Sequence, residues 1–393
     1  MNRFLFTALA AAASIAFMGL EPGFAQEAVP DMPNPTGIGL RPAATPVAEE
    51  IHVFYDAILV PMKVGISLLI LGLLLYVVFR FNKRANPVPK KFSHNTAIEI
   101  IWTALPVFIL LIIAVPSFDL LFIEDKMPDT QTFDYEESRT TEFAFENDFP
   151  ASRRAVRNRH VEVRAVDPAG DQRLLQAGDD YEVSGLGDEV VRVTLSQPLP
   201  SGERLQIAAG RTRVGKKPVL GLFGSDEATL VPAPTLTIKA TGYQWGWAYS
   251  YPDYGDFEFD ALIAPEGSVP AELYRLAATN AVVVPAGETV RVVTTGRDVI
   301  HSWAMPAFGI KIDAVPGRLN ETWFYTEQEN TYYGQCSEIC GKDHAFMPIQ
   351  LRVVSRDAFE AWVDERRALD GMEPLFVNNA SDEADATQTA LLK

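Results

Sequence analysis

Two uncharged apolar runs, at residues 64–79 and 100–118, stand out from a chain that otherwise mixes apolar and polar positions. Residues 58–61 extend the first run upstream, and Lys63 lies near one end, where its stem can snorkel. The pattern predicts one membrane helix over 55–80 and a second over 97–123, together a hairpin spanning 55–124. Pro106 and Pro116 interrupt the second run, a pattern that membrane helices tolerate where neighbours re-satisfy the backbone. Ahead of the hairpin, residues 1–25 open with Asn2-Arg3, continue with an apolar stretch over 4–20 and close on Gly23-Phe24-Ala25. A basic start, an apolar core and small closing residues describe a signal peptide cleaved after Ala25, the alternative being a retained first membrane helix. Residues 26–54 form an N-terminal arm, Pro-, Gly- and Ala-rich and without periodicity over 26–50, which reads as extended.

Beyond the hairpin the period changes to two. Segments 161–166, 181–183, 190–195 and 204–208 alternate, with Pro, Gly and Asp between them, and predict a small β-sandwich-like module within 125–235. A second group, at 236–240, 282–284, 290–293, 322–325 and 349–354, suits an all-β Greek-key barrel or sandwich over 236–369. Ser355 is placed to cap a closing helix, with Asp357 in its first turn and Phe359, Trp362 and Val363 on one face. Residues 370–393 are acidic and rich in Ala, Asn and Thr, the composition of a disordered tail.

Charge then orients the hairpin. Its loop holds Arg80, Lys83, Arg84, Lys90 and Lys91 and no acid, which places the loop in the cytoplasm. The arm and everything after residue 124 then face the periplasm of a bacterial inner membrane, as a two-pass protein. The formal net charge of −17 and the lack of a basic face exclude nucleic acid as a partner and favour a cationic protein.

The chemistry concentrates in Cys336-Ser337-Glu338-Ile339-Cys340-Gly341-Lys342-Asp343-His344-Ala345-Phe346-Met347. It contains both of the chain's 2 cysteines, then a histidine and a methionine. Thiolate, imidazole and thioether are the copper ligands of electron transfer. Two thiolates beside one His and one Met suggest two metals sharing bridging sulfurs, and the second metal then needs another His. Past residue 160, His301 is the remaining candidate. A disulfide is the ordinary reading of two cysteines in an exported protein, but the adjacent His and Met weigh against it, and a Met ligand does not suit zinc.

The stretches DVIHSWAMPAFGIKIDAVPGRLNETWF and YYGQCSEICGKDHAFMPIQL resemble the copper-A domain of cytochrome c oxidase subunit II. The resemblance covers 50–124 and 236–365, and implies a cupredoxin-like domain holding two copper ions. Carried over, the ligands are His301, Cys336, Cys340, His344, Met347 and the backbone carbonyl of Glu338, whose side chain matches a position that also reaches a magnesium shared with subunit I. Tyr243-Gln244-Trp245-Gly246-Trp247-Ala248-Tyr249-Ser250-Tyr251 resembles the family's aromatic segment, which would make Trp245 the residue through which electrons arrive from cytochrome c. Gly246 stands where an aromatic is usual and Ser250 where an acid is common. Asp253, Asp256, Glu258, Asp298 and Asp343 are candidates for a negative docking face. Glu-Ile-Ile-Trp-Thr-Ala-Leu-Pro resembles the family's second helix and would put Glu99 at the mouth of a proton channel.

The implied function is that of a proton-pumping terminal oxidase subunit. It would pass electrons from cytochrome c to haem in subunit I, which also carries copper-B and reduces oxygen to water. Subunit III and membrane lipid are the further implied partners. No Cys-x-x-Cys-His motif for haem occurs, so the donor is a separate protein. Residues 125–235 replace what is a short link in the family. Three other readings are a quinol oxidase subunit II, a nitrous oxide reductase-like copper-A protein, and a periplasmic copper-binding or copper-delivery protein. The intact ligand set, the membrane hairpin and the absence of Met- and His-rich runs respectively weigh against them.

Overall fold

The computed structural model describes residues 31, 39–88, 94–135, 140–146, 155–159, 161–170, 172–185, 190–210, 212–215 and 227–376. The expected leader, 1–25, lies outside the described residues, as does the 377–393 part of the expected tail. The first long helix, α1 (Pro46–Arg80), starts well before position 55. Residues 46–50, the end of the stretch read from composition as extended, are helical, as are 51–54. Thr45 supplies the cap, its hydroxyl accepting the Ala48 N–H at 3.1 Å, and Pro46 occupies the first turn, where a missing N–H costs nothing. Val47 and Ala48 are buried in contacts with distant parts of the chain that hydropathy along the sequence does not reveal. Within α1, Tyr55–Leu59 widens into a π turn in which the Val60 N–H reaches back to the Tyr55 carbonyl, just before Pro61, which has no N–H to donate.

The second helix, α2 (Thr96–Asp125), continues through both internal prolines. Asn95 accepts the Ile98 N–H, and the Glu99 carboxylate accepts the Asn95 N–H, each at 3.2 Å. This reciprocal cap fixes the helix start. Leu74, Ile101, Phe108 and Leu111 are exposed, on two helices long and apolar enough to cross a membrane.

The module after α2 consists of β1 (Thr130–Tyr135), β2 (Glu142–Glu146), β3 (Ala155–Arg159), β4 (Val161–Val166), β5 (Gln172–Leu174), β6 (Tyr181–Ser184), β7 (Val190–Leu195), β8 (Arg204–Gly210), β9 (Thr212–Val214) and β10 (Glu227–Val231). One sheet has the order β1-β8-β4-β5, a second β2-β7-β6. They share a core that includes Phe143, Phe145, Val163, Val193, Leu205 and Ile207. The alternation along β7 is directly visible as burial of Val191, Val193 and Leu195 between exposed Arg192 and Thr194. A third sheet, β3-β10-β9, lies at the base. There Val214 and Val231 join Val47 of α1 and Trp323 and Tyr325 of the following domain in one buried cluster.

That domain contains β11 (Leu236–Tyr243), β12 (Gly246–Ser250), β13 (Glu258–Ala261), β14 (Val282–Pro285), β15 (Glu288–Gly296), β16 (His301–Met305), β17 (Ile310–Ala314), β18 (Asn320–Thr326), β19 (Asn330–Cys336), β20 (Pro348–Val354) and the helix α3 (Arg356–Leu369). Two five-stranded sheets, β13-β12-β11-β15-β18 and β14-β20-β19-β16-β17, form a cupredoxin-like sandwich. Trp247, Trp303, Phe308 and Phe324 fill it and are almost wholly enclosed. The Ser355 hydroxyl caps α3, whose Phe359 and Val363 are buried against the sandwich. Trp362 packs against Tyr251 with ring centroids 5.1 Å apart. The two loops of greatest chemical interest leave the same sheet, because Trp303 of β16 pairs with Cys336 of β19.

Candidate metal centre

The centre is assembled from one strand start, one strand end and one loop. His301 opens β16 and is fully buried. Cys336 closes β19, with its N–H donated to the Met347 carbonyl at 3.0 Å, while the Ser337 N–H goes to the Ser302 carbonyl at 3.0 Å. These bonds lock the cysteine loop onto the sheet. His344 opens a single helical turn, His344–Phe346, and Met347 follows it into the core that also contains both cysteines.

The sulfurs of Cys336 and Cys340 are 3.8 Å apart, and both cysteines are free and buried. Each thiol has its own imidazole: His301 Nδ1 lies 3.9 Å from Cys336 Sγ, and His344 Nδ1 lies 3.5 Å from Cys340 Sγ. The Glu338 carbonyl oxygen is 3.4 Å from Cys336 Sγ. Donor atoms of His301, Cys336 and Cys340 all fall within 4.8 Å of one another, a spacing at which a metal ion can replace the thiol protons. Two thiols, two imidazoles and an adjacent buried thioether form a soft donor set that fits copper and would serve magnesium or calcium poorly.

Asp298 completes the arrangement. Its carboxylate accepts from His301 Nε2 at 2.9 Å, which fixes the tautomer that presents the Nδ1 lone pair to the sulfurs. Burial works against charge on the His301 ring, but its bonds to Cys336 and Asp298 outweigh that and raise its pKa. Burial also pushes the Cys336 thiol up, yet its contacts with His301, the Glu338 and Ser302 backbone and His344 win and bring it down to about 6. Cys340 moves the other way, raised by burial and by the charge of Cys336 beside it.

Trp245 is half-buried beside the cysteine loop. A methyl group on Gly341 would lie 3.1 Å from its ring atom Cζ2, and Gly341 itself has φ +127°, so this position requires glycine twice over. The peptide bond before Trp245 is cis. Gln244 pins the segment from two sides: its side-chain amide donates to the Cys340 carbonyl at 2.7 Å and its N–H donates to Asp298 at 2.8 Å. Trp247 meets the His301 ring edge-on at 6.1 Å. The structure therefore brings His301, Cys336, Glu338, Cys340, His344, Met347 and Trp245 together and leaves Glu99 apart, at the start of α2. No feature of the sequence marks Gln244 as a partner of the loop, and Asp298, a candidate for the docking face, has in addition this contact with His301. An acid three residues before a ligand histidine was the available signal for the latter.

Other acids proposed for a docking face are also engaged. Asp253 accepts the Thr237 N–H at 2.6 Å, and Glu258 faces Arg297 at 3.3 Å.

The periplasmic domain of subunit II of cytochrome oxidase from Bradyrhizobium japonicum is 56% identical over 35% of this chain and 97% of that chain, with a TM-score of 0.33. The probable cytochrome c oxidase subunit 2 of Rickettsia bellii is 36% identical over 332 residues, 84% of each chain. Cytochrome c oxidase subunit 2 of Cereibacter sphaeroides is 30% identical over 353 residues, 85% of this chain and 82% of that one. The family profile for the transmembrane domain of cytochrome c oxidase subunit II matches residues 33–120, and that for its periplasmic domain matches 236–354. A membrane hairpin followed by a periplasmic β domain is what those matches describe, and the chain belongs to the cytochrome c oxidase subunit II family.

Proposed function

We propose that this subunit receives electrons from cytochrome c at a dinuclear copper centre and delivers them to haem in subunit I. There, on another chain that also holds copper-B, oxygen is reduced to water with proton pumping. The observation that carries this reading is the pairing of each thiol with its own imidazole across a 3.8 Å sulfur–sulfur gap. His301, Cys336, Cys340, His344, Met347 and the Glu338 carbonyl would hold the coppers, and the Glu338 side chain would reach a magnesium shared with subunit I. When bound, the copper pair supplies a carrier that takes and gives one electron at a time.

The chain's own residues set the conditions for that transfer. Asp298 keeps the Nδ1 lone pair of His301 directed inward. Cys336, with its lowered pKa, is ready to bind as a thiolate at neutral pH. The strand pair β16–β19 and the backbone bonds of the loop hold the donors in place, so little rearrangement accompanies a change of charge. Trp245, half-exposed and in contact with the loop, gives a π-system between a docked donor and the centre. Burial of both cysteines and His301 favours a relay over copper delivery, which needs an accessible, releasing site.

The subunit would sit in a bacterial inner membrane with the β domain in the periplasm, beside subunits I and III and lipid, and with Glu99 at a proton-channel mouth on the cytoplasmic side. The test is copper content and electron paramagnetic resonance of the purified oxidase. One electron shared over two copper nuclei, lost in Cys336→Ser, is the expected result. A spectrum from a single nucleus, or no reduction by cytochrome c, would refute the reading.

A further inference from the structure

The strand that carries Cys336 has an edge that its neighbour does not cover. Along β19, residues 331, 333 and 335 direct their backbone polar groups towards β16, but β16 pairs with β19 only at Cys336 and Gln335. It stops at Met305, where Pro306–Phe308 turns the chain away. The edge of β19 at Thr331 and Tyr333 is taken by the N-terminal arm. The Asp31 N–H donates to the Thr331 carbonyl at 3.2 Å, the Tyr333 N–H donates to the Asp31 carboxylate at 3.3 Å, and Arg41 Nη1 donates to the Tyr333 carbonyl at 2.6 Å. Arg41 also pairs with Asp31 at 3.1 Å, with side chains only 13% and 4% exposed.

The same arm holds the departing turn. The Ala44 N–H donates to Ala307 O at 2.8 Å, and the Thr45 hydroxyl donates to Phe308 O at 2.8 Å. Thr45 is also the residue that caps α1. One hydroxyl thus joins the first turn of a membrane helix to the β domain. The contact is close, since a methyl group on Gly309 would lie 2.6 Å from Ile51 and 3.2 Å from the Ala48 Cα.

We infer that Asp31, Arg41 and Thr45 are positioning residues: a clamp that substitutes for β16 on the edge of β19 and fixes the metal-bearing domain rigidly on the start of α1. A buried Arg–Asp pair supported by backbone bonds holds one geometry where solvent-exposed contacts would allow several. The height and tilt of the centre above the membrane then follow from the helix. This inference rests on the relay reading only in its functional consequence, because the clamp itself is a property of the fold.

The test uses the assembled oxidase with Asp31→Asn, Arg41→Met and the conservative Arg41→Lys. Hydrogen exchange at the Tyr333 amide is read first. Loss of a charge-assisted bond should speed it by about tenfold or more in Asp31→Asn. Electron transfer from the metal centre to haem, timed by flash photolysis, is read second. Slowing in Arg41→Met, with copper content and spectrum unchanged and with recovery in Arg41→Lys, supports the clamp as a positioning device. Unchanged Tyr333 protection in both Asp31→Asn and Arg41→Met overturns the clamp. Lost protection with an unaltered transfer rate overturns its positioning role. Absence of copper from the wild-type subunit would instead count against the proposed function, and the exchange measurement would still decide the clamp.

Discussion

A single carboxylate decides which nitrogen of His301 faces the sulfurs. Replacing Asp298 by Ala removes the acceptor for Nε2–H and frees the ring to flip or to change tautomer. Copper affinity should fall by about 10–100-fold, measured by competition with a chelator, while the fold stays intact. The cysteines add a pH dependence. Cys336 has its pKa lowered to about 6, so its thiolate is present above that value and is lost as pH falls through it. Apparent copper affinity should therefore drop more steeply below about pH 6 than above it, because a proton then competes for the sulfur. A competition titration repeated across pH checks the sign. Gly341→Ala should disturb both the loop and Trp245, since glycine is required there by backbone conformation and by contact with the indole. Slower reduction by cytochrome c at unchanged copper content is the expected outcome. The donor residues were legible in the sequence because ligand chemistry is written in residue type and spacing. Gln244 was not, because it acts through hydrogen bonds to loops far away in the chain, whereas the role of Asp298 was hinted at only by its place three residues before His301.

At the level of elements, the two membrane helices announce themselves by composition, whereas the start of α1 does not. Val47 and Ala48 are buried against surfaces supplied by distant segments, so the tertiary contact extends the helix past the point where the apolar run begins. Period-two alternation located β4, β7 and β8, whose cores are shared between two sheets. It could not reveal that β9 and β10 leave that sandwich to pack on Trp323 and Tyr325. Ile207 is fully buried in the module's own core cluster, which is separate from the cluster that contains the cysteines. Ile207→Ala should destabilise the inserted module by about 2–5 kcal/mol and leave the copper spectrum unaltered. Thermal unfolding followed beside the spectrum separates the two. A changed spectrum would mean that the module is mechanically coupled to the metal loops.

On the scale of the whole molecule, the excess of acids over bases, −17 in formal charge, favours a cationic donor. Asp298 and Asp253 also make hydrogen bonds within the domain and Glu258 faces Arg297, contacts that hold these exposed carboxylates in place without removing the charge of Asp298 or Asp253. Reduction by cytochrome c should slow as ionic strength rises from low to physiological, as expected for steering by exposed charge. Stopped-flow rates at several salt concentrations would show it, and salt-independent rates would assign docking to apolar contact. The inserted module leaves and re-enters this molecule through adjacent segments. The Asp129 N–H donates to the Thr212 hydroxyl at 3.0 Å, and the Ala233 N–H donates to the Thr130 hydroxyl at 2.6 Å, so the segments leading out and back are stitched together. Such a junction is a socket. What is plugged into it can be lengthened or replaced at small entropic cost, and an engineer could seat a reporter domain there without disturbing the cysteine loop.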